Sequence, residues 1–450
     1  MNEENPNTPV KSVGNWVKNS VSLKLITIAI LVMLLLIPSS MIESIIHERA
    51  NLSEQAITEV SGKWAGDQLV NGPVLIVPIV YEYKSKKEEE PDEVIRYLHI
   101  LPEDLNVSGT LNPEILKRGI YDVAVYESEM KVEGEFLLNQ KVDRDHLKEI
   151  KWNDAHLAIG ISDMRGIKDN IVVHWDKKRY KAEPGSRISN RTLSGVTVDL
   201  PDLFPKRGEA VKFNFGLKLK GSRNLSFIPL GNETKVDLES GWSSPSFNGN
   251  FLPDHREITE AGFTANWKIL QLNRNFPQSW VGGYLSLNIQ ESAFGVDLFM
   301  PLDDYKKAIR SEKYAVMTIF LTFLIFFLVE VMNGKKIHPF QYTLVGLSLC
   351  LFYVLLISIS EHSSFNKAYM ISALATTAMI TLYSRSIFKS AGSTALMSVT
   401  LIGVYCFLFV TLQLADYALL MGSVGLMLIL SATMYFTRNI NWYKLSTKTS

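Results

Sequence analysis

Apolar residues are massed toward the two ends of the chain, with a polar middle between them. A helix needs about 20 mostly apolar residues to cross a hydrocarbon core. The C-terminal third offers such stretches near 314–333, 341–360, 367–385 and 393–436. The last is long enough for two helices and breaks at Gln413-Leu414-Ala415-Asp416, into segments near 393–412 and 417–436. Close to the N-terminus, Leu25–Ile37 is apolar except for Thr27, with Lys11, Lys18 and Lys24 ahead of it and Pro38-Ser39-Ser40 behind. That pattern suits a cleaved signal peptide as well as an anchor. A retained helix over 23–46 is favoured, because no A-x-A site follows and apolar character resumes at Met41-Ile42. The pattern predicts an α+β membrane protein: an N-terminal transmembrane helix, a large β-rich domain, and a C-terminal bundle of five transmembrane helices.

Cations in short loops collect on the cytoplasmic side. Lys335 and Lys336, then Arg385 and Lys389, then Arg438, Lys444 and Lys448 occupy alternate connections and the tail. The other connections carry Glu361, His362 and Asp416, with Lys367 as their cation. Six spans reconcile these positions. Residues 1–22 and 438–450 are then cytoplasmic, and 47–313 form a periplasmic domain of a bacterial inner membrane protein.

Within that middle, Leu52, Ala56, Val60 and Trp64 recur every four residues and predict a helical stalk over 43–64. Gly66 and Gly72-Pro73 end it. Beyond them the period becomes two. Val211, Phe213, Phe215, Leu217 and Leu219 alternate with polar or small residues, as a half-buried strand requires. Leu285, Leu287 and Ile289 alternate in the same way. Val74–Tyr83 and Val94–Leu101 read as strands joined by a charged, solvated loop over 84–91. Many short strands separated by Gly, Pro and Asn turns predict a sandwich-like domain. Six of the eight tryptophans lie in this middle, mostly as core or interfacial residues, with sugar stacking the alternative role for one or two. No repeat of 20–50 residues is visible.

Charge is balanced, 46 Lys and Arg against 46 Asp and Glu, so no basic bias points to nucleic acid. The cysteines, Cys350 and Cys406, lie in apolar runs and form no C-x-x-C pair. No P-loop, H-E-x-x-H or G-x-S-x-G sequence occurs. No enzyme activity, cofactor or metal is therefore expected. Ionisable residues near the helices are the candidates. Glu330 sits within the first C-terminal helix, where a charge is costly. It is either an interfacial ion pair with Lys335 or Lys336 or a functional intramembrane acid. Glu361, His362 and Asp416 fall at the outer ends of different helices. There they either cap helices and dock the β domain, or converge to tune proton affinity or grip a ligand. His338-Pro339 reads as a turn. Arg118, before Gly119, either pairs locally at a tight bend or contacts a ligand.

A series of local motifs adds a family resemblance. It begins at Trp64, Gln68, Gly72-Pro73 and Pro78 and continues through Arg118-Gly119-Ile120-Tyr121 and Gly134-Glu135-Phe136. Pro245-Ser246-Phe247, Gly262-Phe263-Thr264-Ala265-Asn266-Trp267 and Arg274-Asn275-Phe276-Pro277 follow. The apolar end adds His338-Pro339-Phe340-Gln341-Tyr342, Ser360-Glu361-His362 and Asp416-Tyr417-Ala418. From about residue 23 to 443 the chain resembles the CreD family of bacterial inner membrane proteins. The resemblance implies a role in envelope integrity under a carbon-source-responsive two-component regulator. It also implies links to colicin tolerance and, in some bacteria, to β-lactam response. It implies no chemical reaction.

Three functions are consistent with these features. The favoured one is an envelope protein, held in the lipid bilayer, whose periplasmic domain binds an envelope component or protein partner. The alternatives are a subunit of a transporter or flippase, for which no inverted repeat is visible, and a sensor acting through a partner, since the cytoplasmic loops are short.

Overall fold

Helix α1 (Val21–Trp64) runs unbroken for 44 residues. The N-terminal apolar run and the stalk are thus one element, with Pro38 inside it. Proline lacks the amide that would close its turn; there the Ser40 hydroxyl donates to Ile37 O at 2.9 Å. On the stalk the buried positions are Ile46, Ser53, Ala56 and Ile57, whereas Leu52, expected on that face, is exposed.

The computed structural model describes residues 21–83, 92–139, 142–187, 194–201, 203, 210–283, 286–298, 303–333, 337–414 and 417–438. It divides into a helical unit, Met1–Ser53 with Pro301–Ser450, and a β-rich unit, Glu54–Met300. The sequence had set these boundaries at 46/47 and 313/314. By packing the units divide at 53/54 and 300/301, the second because a polar helix ahead of the apolar series packs with the helical unit, as described below.

Two sheets make up the β-rich unit. Among the described residues one has ten strands and the other eight. The first runs Pro245–Gly249, Phe294–Leu298, Asn224–Phe227, Gln68–Tyr83, His156–Ile161, Gly195–Asp199, Glu183–Pro184. Asp92–Ile100 and Leu147–Ile150 also pair with Gln68–Tyr83, and Ser279–Val281 pairs with Asp92–Ile100. The second runs His255–Thr259, Gly262–Leu270, Glu233–Ser240, Asp104–Arg118, Tyr121–Leu137, Ala210–Ser222, Val172–Trp175, Lys178–Lys181. Their inward residues form one core, so the unit is a sandwich of two layers. The alternation at 211–219 is reproduced as burial, with Phe213, Phe215, Leu217 and Leu219 inside and Lys212, Asn214, Gly216 and Lys218 outside. The strands expected at 74–83 and 94–101 are antiparallel neighbours with Val80 opposite Ile95; the charged run over 84–91 lies outside the described residues. Trp267, Phe247 and Phe294 cluster, with Trp267 5.7 Å from each of the other two rings.

The alternation at Leu285, Leu287 and Ile289 does not become a strand. Ser286–Glu291 is a short helix, α2. A five-residue window leaves period alone unable to decide between the two. Strand Ser279–Val281 stops at Gly282, whose φ of +107° turns the chain. Ile289 is delivered to the core from the helix instead, fully buried.

The change from α1 to the first strand is densely hydrogen-bonded within the β-rich unit. Gln68 Nε2 donates to Lys220 O at 2.8 Å and Asp163 O at 3.0 Å. The Ser222 hydroxyl donates to Ala65 O at 2.8 Å. The Asp163 carboxylate accepts from Gly66 N at 2.8 Å and from Arg165 Nη2 at 2.6 Å. Lys220 Nζ lies 3.9 Å from the centre of the Trp64 ring, a cation–π contact. A second buried clamp is Arg274, within the sequence motif Arg274–Pro277. Its Nη1 donates to Phe276 O at 3.1 Å, and its Nη2 to Leu230 O at 3.1 Å and Gly231 O at 3.3 Å. Burial pushes its guanidinium down to about 10, still charged at neutral pH.

Among the described residues the helical unit contains α1 and then α3 (Asp303–Lys313), α4 (Ala315–Asn333), α5 (Pro339–Ser360), α6 (Phe365–Phe388), α7 (Ala391–Gln413) and α8 (Ala418–Thr437). Helices α4 to α8 match the five apolar segments read from the sequence. Helix α3 was missed, because Asp303, Asp304, Lys306, Lys307, Arg310, Glu312 and Lys313 make it polar; Ala308 and Ser311 give it a buried face. The core of the unit is aliphatic and aromatic, with Leu35, Ile42 and Ile46 of α1 among Phe323, Phe326, Leu349, Phe352 and Leu401. A Cβ on Gly346 of α5 would lie 2.2 Å from Leu35 Cδ1, so a glycine is what lets α1 and α5 approach. Three described helices are long and apolar enough to cross a membrane: α1, α5 and α7. The pair Lys307–Lys313 and Ala315–Val331, bent by 42°, makes a fourth if taken as one span.

Two outcomes test this fold. The Arg165 guanidinium, hydrogen-bonded to Asp163, holds that carboxyl down to about 2, from an ordinary value of 3.8. A carboxyl lowered on folding adds stability that is complete above the ordinary value and lost as pH falls through 2. Asp163→Asn should therefore flatten the loss of β-unit stability between about pH 4 and 2, and cost about 1 kcal/mol at neutral pH, both read from thermal unfolding of the full chain at stepped pH. Arg274→Lys should cost about 2–3 kcal/mol, because a lysine cannot fork to three carbonyls; urea unfolding followed by tryptophan fluorescence measures it.

Candidate functional site

Helix α4 is apolar almost throughout, yet Glu330, near its end, is only 4% exposed. A buried carboxylate persists only when paired and hydrogen-bonded. Glu330 receives three donors. Lys24 Nζ of α1 forms an ion pair with Oε1, Ile337 N donates to Oε1 at 2.9 Å, and the Tyr342 hydroxyl donates to Oε2 at 3.1 Å. The local sequence sets these up. His338 caps α5, with its Nδ1 accepting from Phe340 N at 3.2 Å, while Gln341 Oε1 accepts from His338 N at 3.0 Å. That cap and Pro339 fix the entry of α5, presenting Tyr342 between the rings of Phe323 and Phe326, at 5.4 and 5.8 Å. The cation on Glu330 thus comes from α1. Lys335 and Lys336, its expected partners, lie outside the described residues.

The other sequence candidates are dispersed. Glu361 ends α5 and faces Arg49 of α1, Oε1 to Nε, at 3.4 Å. His362 follows it and is exposed, its amide donating to Ile359 O at 3.1 Å. Asp416 lies outside the described residues. In the β-rich unit, Arg118 precedes a two-residue hairpin turn in which Gly119 has a φ of +63°. Its Nη2 and Nε donate to Glu59 of the stalk at 2.9 and 3.1 Å. Sequence reasoning missed a second nearly buried acid, Glu312 at the end of α3, which accepts from the Ser39 hydroxyl at 2.9 Å. It was missed because a single acid in a polar helix carries no hydropathy signal. Lys24 was counted as a flanking charge, and only its position opposite Glu330 in the bundle marks it as a partner.

The β-rich unit offers a different kind of site. Strands Asp104–Arg118, Tyr121–Leu137, Ala210–Ser222 and Glu233–Ser240, with Thr264 and Asn266 beside them, enclose a hollow of about 680 Å³ on the outward face of the eight-stranded sheet. Ser108, Thr110, Glu129, Lys131, Lys218, Asp237 and Glu239 line it. The floor is bare at Gly216, where a Cβ would meet nothing within 4 Å; Gly109, between the outward Ser108 and Thr110, faces the core instead, where a Cβ would lie 2.7 Å from Met130 Cγ. The charges are mixed and partly paired, with Lys218 3.3 Å from Glu129 and Asn266 Nδ2 donating to Asp237 at 2.6 Å. Such a surface is suited to polar groups of either sign. Among the described residues no cluster of three or more His, Cys, Asp or Glu is arranged to hold a metal ion.

The model of the family described as inner membrane protein CreD matches residues 20–443. The inner membrane protein CreD of Escherichia coli (strain K12) is 33% identical over 417 residues, which is 92% of this chain and 92% of that protein. Among solved structures, a mutant M1 zinc metallopeptidase from Deinococcus radiodurans matches at a TM-score of 0.20 and 12% identity, over 38% of each chain. The same mutant bound to a Tyr-Ser-Ala substrate matches at 0.20 and 11%, over 41% of this chain and 42% of that one. Scores that low support no inference of fold or chemistry. Matched along nearly its whole length in both sequence comparisons, this chain belongs to the CreD family of inner membrane proteins.

Proposed function

We propose that this chain supports cell envelope integrity from the inner membrane, engaging a polar envelope component or a protein partner through the hollow face of its eight-stranded sheet. In this reading α1 and α4 to α8 are the spans, both termini are cytoplasmic, and the β-rich unit is periplasmic. The alternation of cations among the connections supports that orientation. So does the exterior of the bundle: Leu374 and Leu382 of α6, and Leu426, Met427 and Leu428 of α8, are about two-thirds exposed, which suits contact with lipid tails. Helix α1 is retained rather than cleaved, because Leu35, Ile42 and Ile46 fill the bundle core and Lys24 neutralises Glu330.

The observation that carries the reading is the 680 Å³ hollow itself. It is a depression rimmed by charged and hydroxyl side chains and bare at Gly216, on a rigid sheet where side chains are fixed by the ladder rather than by a loop. An extended polar chain or a partner's surface can lie across it without displacing core residues.

Two measurements test this proposal. An alkaline phosphatase fusion after Trp152 should be active and one after Lys448 inactive; the reverse pattern sinks the orientation. In a deletion strain, wild-type protein should restore resistance to detergent, β-lactam or colicin stress. Gly216→Phe fills the hollow without a backbone clash, and should fail to restore resistance while accumulating to the wild-type level. Full restoration by Gly216→Phe would remove the hollow from the function.

A further inference from the structure

The helical unit buries a group of hydroxyls that neither its packing nor the Glu330 cluster explains. Tyr353 of α5 is 2% exposed and Tyr405 of α7 is 3% exposed, while Ser372 and Thr376, one turn apart on α6, are both 0% exposed. None of these four hydroxyl groups has a hydrogen-bond partner among the described residues. Tyr353, Tyr405 and Thr376 come together from three helices, with Ser372 one turn from Thr376 on α6. The ring of Phe352 lies 4.9 Å from that of Tyr353 and 4.7 Å from that of Tyr405. Tyr369, 6.5 Å from Tyr405 ring to ring, donates its hydroxyl to Tyr405 O at 2.8 Å. Thr376 stands beside the Tyr405 hydroxyl and Thr318 beside that of Tyr353, each outside hydrogen-bond geometry. Tyr353 is within electrostatic reach of both Tyr405 and Glu312.

An unpartnered hydroxyl in apolar surroundings is costly, and in lipid no solvent compensates it from outside. Phenylalanine would fill the same aromatic volume without that cost, as Phe352 does between the two tyrosines. A buried water takes about three hydrogen bonds, so two linked waters are enough to partner all four hydroxyls. Glu312, 9% exposed, with the Ser39 hydroxyl donating to its carboxylate at 2.9 Å, supplies an acidic acceptor at one end. We propose that Tyr353, Tyr405, Ser372 and Thr376 line an internal hydrated site in the helical unit, with Glu312 as its acidic member and water and the protons it carries as its ligand. The inference rests on the reading above that these helices are embedded in lipid. It adds to that reading a hydrated polar interior.

The test uses the full chain in lipid nanodiscs. Tyr353→Phe and Tyr405→Phe are made singly and together and followed by thermal unfolding. If water bridges the two hydroxyls, each single change should lower the midpoint by about 2–4 °C. The double variant should then lose less than the sum of the two, because one bridging network is removed by either change. If the hydroxyls are dry, each phenylalanine leaves the midpoint unchanged or raises it and the effects add; that result overturns the hydrated site. Lipid embedding is checked separately in the same nanodiscs. Cys406, exposed on α7, should resist a bulky water-soluble maleimide. Its modification would overturn the embedding, while the phenylalanine cycle still decides the hydration of the site.

Discussion

A carboxylate taken into an apolar helix bundle has to be met by a cation and by hydrogen-bond donors, or it is not ionised there at all. At Glu330 that requirement is met by three segments far apart in sequence: α1 through Lys24, the start of α5 through Tyr342, and the connection between α4 and α5 through Ile337 N. The same requirement explains why α1 is part of the bundle rather than a bystander. Leu35 against Gly346 closes the contact along its length, and Arg49 facing Glu361 adds a second ion pair further on. Helix α1 is thus held by a charge near each end of the segment it buries and by aliphatic packing between them.

The β-rich unit answers a different constraint. Its strands have to bury one face and leave the other wet, and two sheets do so over one shared core. The joint at Ala65 to Gln68 shows how the chain passes from helix to strand without orphaned backbone groups. Gln68, Asp163 and Ser222 take up the carbonyls and amides that the change of geometry would otherwise strand. The outward face of the eight-stranded sheet then inherits whatever the alternation leaves. Here that is a mixed-charge depression, bare at Gly216 on strand Ala210–Ser222. It is carried by a chain of the inner membrane protein CreD family.

The sequence by itself determined what periodicity and hydropathy encode. The five apolar segments after residue 313 reappear as α4 to α8, and the alternation at 211–219 reappears as a half-buried strand, because both depend only on which side of a regular element is greasy. Reading failed where that signal was short or absent. Leu285 to Ile289 alternates for too few residues to outweigh the turn at Gly282, and α3 is too polar to be counted with the helices it packs among. What only the tertiary structure decided is which distant groups meet: Lys24 with Glu330, Ser39 with Glu312, unpartnered hydroxyls of separate helices in one core, and charged side chains of four strands around a bare Gly216. Those meetings depend on how elements are brought together in space, and a one-dimensional pattern of polarity carries no record of the distance between them.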